Sequence, residues 1–549
     1  VAAALLAGAC SGDDEVAEGA GGATGGTARA SSGTTVGVAF ERTCDQGATQ
    51  EVEAVPVEGI ESDLTVTSFD GTELRVHWFP VEGASADEPA PTVLMGPGWS
   101  LGGDTSLDPG ANVLFGAASI PGLHDAGYNV LTWDPRGFGE SGGEVQINAP
   151  DAEGRDVQVL LDLVAGQPEA QTDAEGDPRV GMVGFSYGGG IQLTTAAMDC
   201  RVDAIVPGLA WHSLETSLYR AEIVKLGWGE FLADIGSTQG TLDPHIPSAI
   251  ESAQATGQLG EDDEAWFRER GPSDAVAAIT APTLFVQGTV DTLFTPAEAL
   301  TNHRTLRDAG VPTAMVWFCG GHGSCSTHEP STEQVTEATF AWLDRWVKGD
   351  ESVELPTGLT VVDQDGTWWH VDDPDDAELV EAGSGSGTLE LAEGSGAGPI
   401  VLPESDDLLA GLVEPLTTDP AEEALEVELT VPDGGLVLGA PRLSLRYSGT
   451  VEDGDRPVRV FGQLVDPATD TVVGHQVAPI ELVLDGTEQT AAVDLEPVVQ
   501  HLEPGGTLVL QLVATTVAYA TPRLGGEVTF EAIDVVLPLA GAYDGPLGT

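Results

Sequence analysis

The sequence predicts an α/β domain with a mostly parallel sheet, helices on both faces and a helical cap, followed by an all-β sandwich of jelly-roll type. Three observations predict it. From about residue 90 to about residue 320, short and nearly continuous apolar runs alternate with helical patterns, which is how parallel strands buried on both faces read. One interval in that series, about 75 residues long, is mostly helical in character and reads as an inserted cap. Beyond about residue 350 the runs alternate with a period of two, broken by Gly, Pro and Asp without intervening helices, as expected of an antiparallel sandwich. At 549 residues the chain has room for two or three such units.

The amino-terminal end is read first. Val1 to Ala9 is a short apolar run ending in small residues, followed by Cys10 and a polar stretch. It resembles the end of a bacterial lipoprotein signal peptide, without the basic region that would precede it. That resemblance implies export and lipidation at Cys10; a cleavable export signal with an incidental Cys is the alternative. Residues 1–9 are then a signal remnant. Residues 10–54, rich in Gly, Ala, Ser, Thr and acids, bury too little apolar surface to order themselves and read as a tether.

Residues 55–350 form the expected α/β domain. It opens with a hairpin over Leu64 to Pro80 about Asp70-Gly71, a tight-turn dipeptide. Strands are expected at Thr92 to Gly96, Tyr128 to Asp134, Val180 to Phe185, Val202 to Gly208, Thr283 to Gly288 and Thr313 to Phe318. Helical patterns cover Gly154 to Val164, Pro296 to Gly310 and Glu333 to Gly349, and the cap is expected at about residues 210–278. Residues 351–549 form the expected sandwich, with runs such as LEVELTV, PRLSLRYS and TLVLQLVAT.

Charge narrows the partners. Eighty-nine acidic residues face 20 basic ones, a net charge of -69, and the lysines are Lys225 and Lys348. Such a polyanion repels nucleic acid and bare anionic lipid, so any membrane attachment is expected through the lipid anchor alone. The acidity fits either adaptation to high salt or a strongly solvated surface. After Cys10, four cysteines remain, and three pairings are possible. Cys319-Cys325 would bracket His322, with Cys44-Cys200 then tying the amino-terminal segment to the core. Their spacing matches no zinc pattern, and neither a metal nor a cofactor is expected.

The strongest chemical signal is Gly184-Phe185-Ser186-Tyr187-Gly188, which follows an apolar strand and precedes the helical stretch GGIQLTTAAM. A G-x-S-x-G at a strand-to-helix turn is a nucleophile elbow, which lifts the Ser above the sheet edge. Such a Ser needs a base and an acid to orient it, in chain order Ser, Asp or Glu, His. Asp291 lies just past the strand TLFVQG, and His322 just past TAMVWF in CGGHG, at the strand ends where catalytic loops belong. His328 is the nearest rival base. Thr295, rather than Asp291, suits the N-cap of the next helix. The oxyanion donors expected are the backbone N–H groups of Tyr187 and of Trp99, the latter in the loop GPGWSLGG after the strand TVLMG. Trp211, Tyr219 and Trp228 of the cap are candidates for the substrate pocket, though such residues more often pack as core.

GFSYGG around Ser186, DPRGFGESGG from Asp134 to Gly143, GTVDTLFTP around Asp291 and GGHG around His322 together resemble the X-prolyl dipeptidyl-peptidase and cocaine-esterase family of α/β-hydrolases. The resemblance extends over about residues 60 to 549, since GAPRLSLRYSGT, GQLVDPATDTVVG and EPGGTLVLQL are similar to that family's carboxyl-terminal jelly roll. It implies a serine hydrolase acting through an acyl-enzyme on a small-molecule ester or amide, or on a peptide. Two features depart from it. No Tyr stands in GPGWSLGG to serve as oxyanion donor, and DGTWWHVDDPDD replaces the usual Trp-Pro-Pro in the linker to the sandwich. Asp134 and Arg136 are expected to be structural. A peptidase that holds a free amino terminus would need a carboxylate near the pocket, for which Glu215, Glu222 and Glu230 are candidates. A tethered binding protein with an inactive hydrolase fold is the reading from a different class.

Overall fold

A computed structural model describes residues 50, 52–108, 118–323, 325–328, 331–394 and 419–547. The expected signal remnant, the lipidation site Cys10, Cys44 of the expected Cys44-Cys200 pair and nearly all of the tether lie outside the described residues.

Twelve described strands form the large sheet. Its middle is parallel, running in the order Asn129–Trp133, Thr92–Gly96, Val180–Phe185, Val202–Gly208, Thr283–Gly288, Thr313–Phe318 and Leu359–Val362. The central strands are buried along their whole length because helices cover both faces. Alternate side chains of one strand enter different cores. Leu94 and Leu131 join Val157, Leu160 and Ile191 on one face, while Val93, Met95 and Val130 join Leu123, Val335 and Trp342 on the other.

The hairpin Asp63–Thr67 and Glu73–Phe79 turns at Gly71 and adds antiparallel to the edge through pairing with Asn129–Trp133. Asp134 and Arg136 are structural there. The Asp134 carboxylate accepts from the Gly103 and Glu140 amides, and Arg136 pairs with the buried Asp156 through two 2.7 Å bonds.

The boundary at residue 350 needs correction. Leu359–Val362 runs parallel to Thr313–Phe318, and Trp368–Val371 and Tyr543–Asp544 follow antiparallel. The large sheet thus continues past the last helix, Glu333–Trp346, and takes its final strand from near the carboxyl end. The physical reason is burial: Leu359, Val361, Trp368 and Trp369 are all core residues, and the Trp369 indole donates to Asp363. The stretch that sequence reasoning assigned to the linker and the sandwich is sheet edge. The antiparallel sandwich starts at Ala377–Glu390, which pairs with Gly526–Ala540. It faces a second sheet ordered Leu425–Val431, Gly506–Val513, Arg459–Asp466.

Between Gly208 and Thr283 lie the helices Leu214–Leu218, Leu226–Gln239, His245–Thr256 and Glu261–Arg268. Their apolar sides meet Phe138, Tyr187 and Phe294 over the carboxyl ends of the strands. Among the described residues, no helix is long and apolar enough to cross a membrane.

Candidate active site

Ser186 sits between Val180–Phe185 and the helix Tyr187–Met198 with φ 58° and ψ -116°, a conformation costly for a residue with a Cβ and held only by its surroundings. Its amide donates to Gly208 O, and its carbonyl accepts from the Gly189 and Gly190 amides. Gly188 explains the sequence requirement. A Cβ there would lie 2.2 Å from Gly96 O, so the helix start could not approach the loop after Thr92–Gly96.

Asp291 and His322 come from neighbouring strand ends. Asp291 is fully buried, and its Oδ1 accepts from the Leu293 and Phe294 amides at 3.0 Å. That leaves Oδ2 for His322 Nδ1, 2.8 Å away. His322 Nε2 lies 2.7 Å from Ser186 Oγ. The two loops touch backbone to backbone, since a Cβ on Gly321 would sit 2.6 Å from Asp291 Cα. The structure therefore brings Ser186, His322 and Asp291 into one hydrogen-bonded file. His328 stands apart, against Cys325 Sγ at 3.6 Å and Thr327 Oγ1 at 3.1 Å.

Cys319 and Cys325 are disulfide-bonded around His322. With His328 they form a close His/Cys group, but both sulfurs are taken up in the bridge and cannot act as thiolate ligands.

Trp99 and Tyr187 meet edge to face at 5.3 Å, and Phe138 touches both rings. The Trp99 indole donates to Leu232 O in the cap, so this loop is tied to the roof of the site. Tyr187 is anchored from below. Its hydroxyl donates to Glu153 at 3.1 Å, and its carbonyl accepts from Asn148 Nδ2 at 2.7 Å. Burial pushes the Glu153 carboxyl up to about 7, against the backbone amides that favour its anion. Asn148 and Glu153 were not singled out in the sequence; 39 and 34 residues separate them from Tyr187, and no local pattern marks them.

The three pocket candidates separate. Trp228 faces the His322 ring edge-on at 5.9 Å, and Phe294, which sequence reasoning missed, does so at 5.3 Å. Trp211 packs against Phe294 at 4.9 Å and over Gly190 of the helix after Ser186. Tyr219 packs in a separate cluster with Val224 and Ala253, at the break between Leu214–Leu218 and the turn Arg220–Glu222, where Ala221 is left-handed. The cap carboxylates are engaged elsewhere: Glu215 with Arg268, Glu222 with Arg459, and Glu230 with Gln254. Thr295 occupies the N-cap position expected of it but makes no capping bond. Its hydroxyl donates to the buried Glu496 of the sandwich, which outcompetes the local amides.

A parallel sheet with a nucleophile elbow, and a Ser–His–Asp file at its strand ends, make up the α/β-hydrolase arrangement. Residues 70–324 match the family described as X-Pro dipeptidyl-peptidase (S15 family). The whole fold is similar to a CocE/NonD family hydrolase from Staphylococcus aureus, with a TM-score of 0.61 at 12% identity over 90% of this chain and 97% of that one. The match to the family model thus covers the stretch that carries Ser186, Asp291 and His322, and the likeness to the CocE/NonD hydrolase is one of fold. Shorter stretches are similar to a polyketide transferase of a Penicillium species, 30% identical over 145 residues, 26% of this chain and 43% of the relative. Another resembles an uncharacterised 31.7 kDa protein of Escherichia coli, 36% identical over 87 residues, 16% of this chain and 29% of the relative. The chain thus spans less than half the length of these curated relatives.

Proposed function

We propose that the protein hydrolyses esters or amides with an apolar acyl portion, with Ser186 as nucleophile, His322 as general base and acid, and Asp291 as the group that orients it. The observation that carries this reading is the file itself, Ser186 Oγ to His322 Nε2 at 2.7 Å and His322 Nδ1 to Asp291 Oδ2 at 2.8 Å, distances suited to proton transfer. Ser186 Oγ attacks the carbonyl carbon as Nε2 takes its proton. The negative oxygen is held by the Tyr187 and Trp99 amides. Collapse expels the alcohol or amine, which receives the proton from Nε2, and leaves an acyl-Ser186. Water, deprotonated by His322, then releases the acid.

Trp228 and Phe294 beside the imidazole support an apolar acyl partner, since they exclude water from its vicinity. The ion pair of Glu215 and the contacts of Glu222 and Glu230 leave these cap acids engaged away from a substrate ammonium, which favours esterase or acylase activity over X-Pro cleavage. The assembled file also weighs against an inactive binding protein. Turnover of p-nitrophenyl acyl esters, compared with X-Pro anilides, tests the reading. Ser186→Ala is expected to abolish ester turnover and fluorophosphonate labelling without moving the melting curve. Activity that survives this change, or a preference for the anilides, overturns it.

We infer further that the protein is exported and held at the outer face of the cell membrane by lipid on Cys10, an inference supported by the apolar run Val1 to Ala9 before that Cys. Labelling with a fatty-acid analogue that persists in Cys10→Ser would count against it. The net charge of -69 suits a high-salt medium, in which counterions screen self-repulsion. A melting temperature that does not rise from dilute buffer to molar salt would exclude that adaptation.

A further inference from the structure

The sandwich reaches into the active-site framework through one turn, Val473–His475 with Gln476 after it. Gln476 is buried, and its Nε2 donates to the backbone carbonyl of Asp291 at 2.8 Å. The adjacent His475 places Nε2 2.9 Å from Ser326 Oγ, one residue beyond the disulfide that brackets His322. Just before them, Gly474 lies so close to Thr289 that an added Cβ would be 3.1 Å from the Thr289 carbonyl. One short turn therefore contacts the loop carrying the acid at two points and the loop carrying the base at a third.

The same acid loop is gripped at further points. Glu496 of the sandwich accepts from Thr295 Oγ1 at 2.8 Å and pairs with Arg220 of the cap. Lys225 of the cap donates to Leu293 O at 3.0 Å. Lone bonds of this kind contribute little, but the loop they hold sets the direction of the Asp291 carboxylate. Its Oδ1 is already fixed by the Leu293 and Phe294 amides, so a shift of the Asp291 backbone moves Oδ2 away from His322.

We propose that this turn makes the sandwich a working part of the catalytic machinery, with Gln476 and His475 as positioning residues that hold the Asp291 and His322 loops in mutual register. The idea rests on the triad reading above. His475 suits its place chemically, because burial pushes its imidazole down to about 4; it stays neutral and can accept from Ser326. Its φ of 55° lies in the left-handed region, a conformation that costs energy for a residue other than Gly and is kept here by the packed surroundings.

The test is Gln476→Met, which keeps the length of the side chain and removes the donor, in the full chain. Four quantities are read: kcat and KM on a p-nitrophenyl ester, the melting temperature, and the downfield proton resonance of the His322–Asp291 hydrogen bond. The expected result is a fall in kcat of about tenfold to a hundredfold, as misplacement of reacting groups by about an ångström produces. KM should stay within about twofold, and the downfield resonance should broaden or vanish. Unchanged kcat with an unchanged resonance overturns the proposal, as does a loss that tracks the melting temperature alone. If Gln476→Met does not fold, Ser326→Ala removes the His475 contact from the hydrolase side, and the same resonance and kcat decide. Ser186→Ala separates the two ideas. If it remains active, the triad reading fails; if it is dead while Gln476→Met is fully active, only the role of the turn fails.

Discussion

Glu153→Gln is expected to change the pH dependence of stability in a calculable way. Glu153 begins the helix Glu153–Ala165 and is buried beneath Tyr187. Its carboxylate accepts from the Gln146 amide at 2.6 Å and the Ala149 amide at 3.1 Å, and a helix start favours an anion. Loss of water outweighs these contacts and lifts the group from 4.5 to about 7. Between those two values the folded chain keeps a proton that the unfolded chain has released, so stability falls as pH rises through this window and levels off above it. A shift of this size corresponds to roughly 3 kcal/mol over the whole window, of which roughly 2 kcal/mol falls between about pH 5.5 and about pH 8.

Glutamine fills the same space and cannot ionise, so the variant lacks that slope. Relative to the unchanged protein it should gain roughly 2 kcal/mol on going from about pH 5.5 to about pH 8. In a domain this large that is about 4 °C of melting temperature. Calorimetry of both proteins at the two pH values reads the difference of differences. It cancels any constant effect of the substitution, such as a weakened bond to Tyr187. Parallel curves would refute the reasoning and would mean that Glu153 is ionised throughout, with the amides and the helix start winning over burial.

Asp291→Asn can satisfy the Leu293 and Phe294 amides with its oxygen, but then turns an NH₂ group toward His322 Nδ1. That forces the wrong tautomer, and kcat should fall on the order of 10³ to 10⁴, read by steady-state kinetics at neutral pH; a loss below tenfold would contradict the assignment. Removing the bridge in Cys319→Ser with Cys325→Ser, or by reduction, frees a loop of six residues' separation around the base. By loop-closure entropy, which the bridge removes from the unfolded chain, this costs about 2 kcal/mol of folding stability. Ester turnover should drop several-fold while the far-ultraviolet spectrum stays the same, and equal activity with and without reductant would show that packing alone holds His322.

Much of this was legible in one dimension because the relevant forces are local. Buried parallel strands read as apolar runs, and the expected strands Thr92 to Gly96, Val180 to Phe185, Val202 to Gly208, Thr283 to Gly288 and Thr313 to Phe318 coincide with strands of the sheet. Ser186 was legible because the elbow needs glycines at fixed offsets. Asp291 and His322 followed from chain order and from their place just past strand ends, and the close Cys319-Cys325 pair from its spacing about the His.

Other features were decided by contacts between distant segments. The sheet runs past residue 350 because Leu359–Val362 found an open edge beside Thr313–Phe318, a fact carried by the neighbour and not by the strand. Tyr219 packs away from the site with Val224 and Ala253, and Phe294 stands beside His322 because its amide is tied to Asp291, neither of which a short pattern marks. The Thr295 hydroxyl turned from its helix to Glu496, 201 residues away. The sequence by itself determined the strands, the elbow and the place of Ser186, Asp291 and His322 just past strand ends, since turn geometry and strand burial are properties of short stretches. Only the tertiary structure decided what grips those residues: Glu153 and Asn148 beneath Tyr187, Lys225 from the cap, and Gln476 from the sandwich. Hydrogen bonds across such separations leave no periodicity, and they exist only once the packed domains bring the partners within about 3 Å of one another.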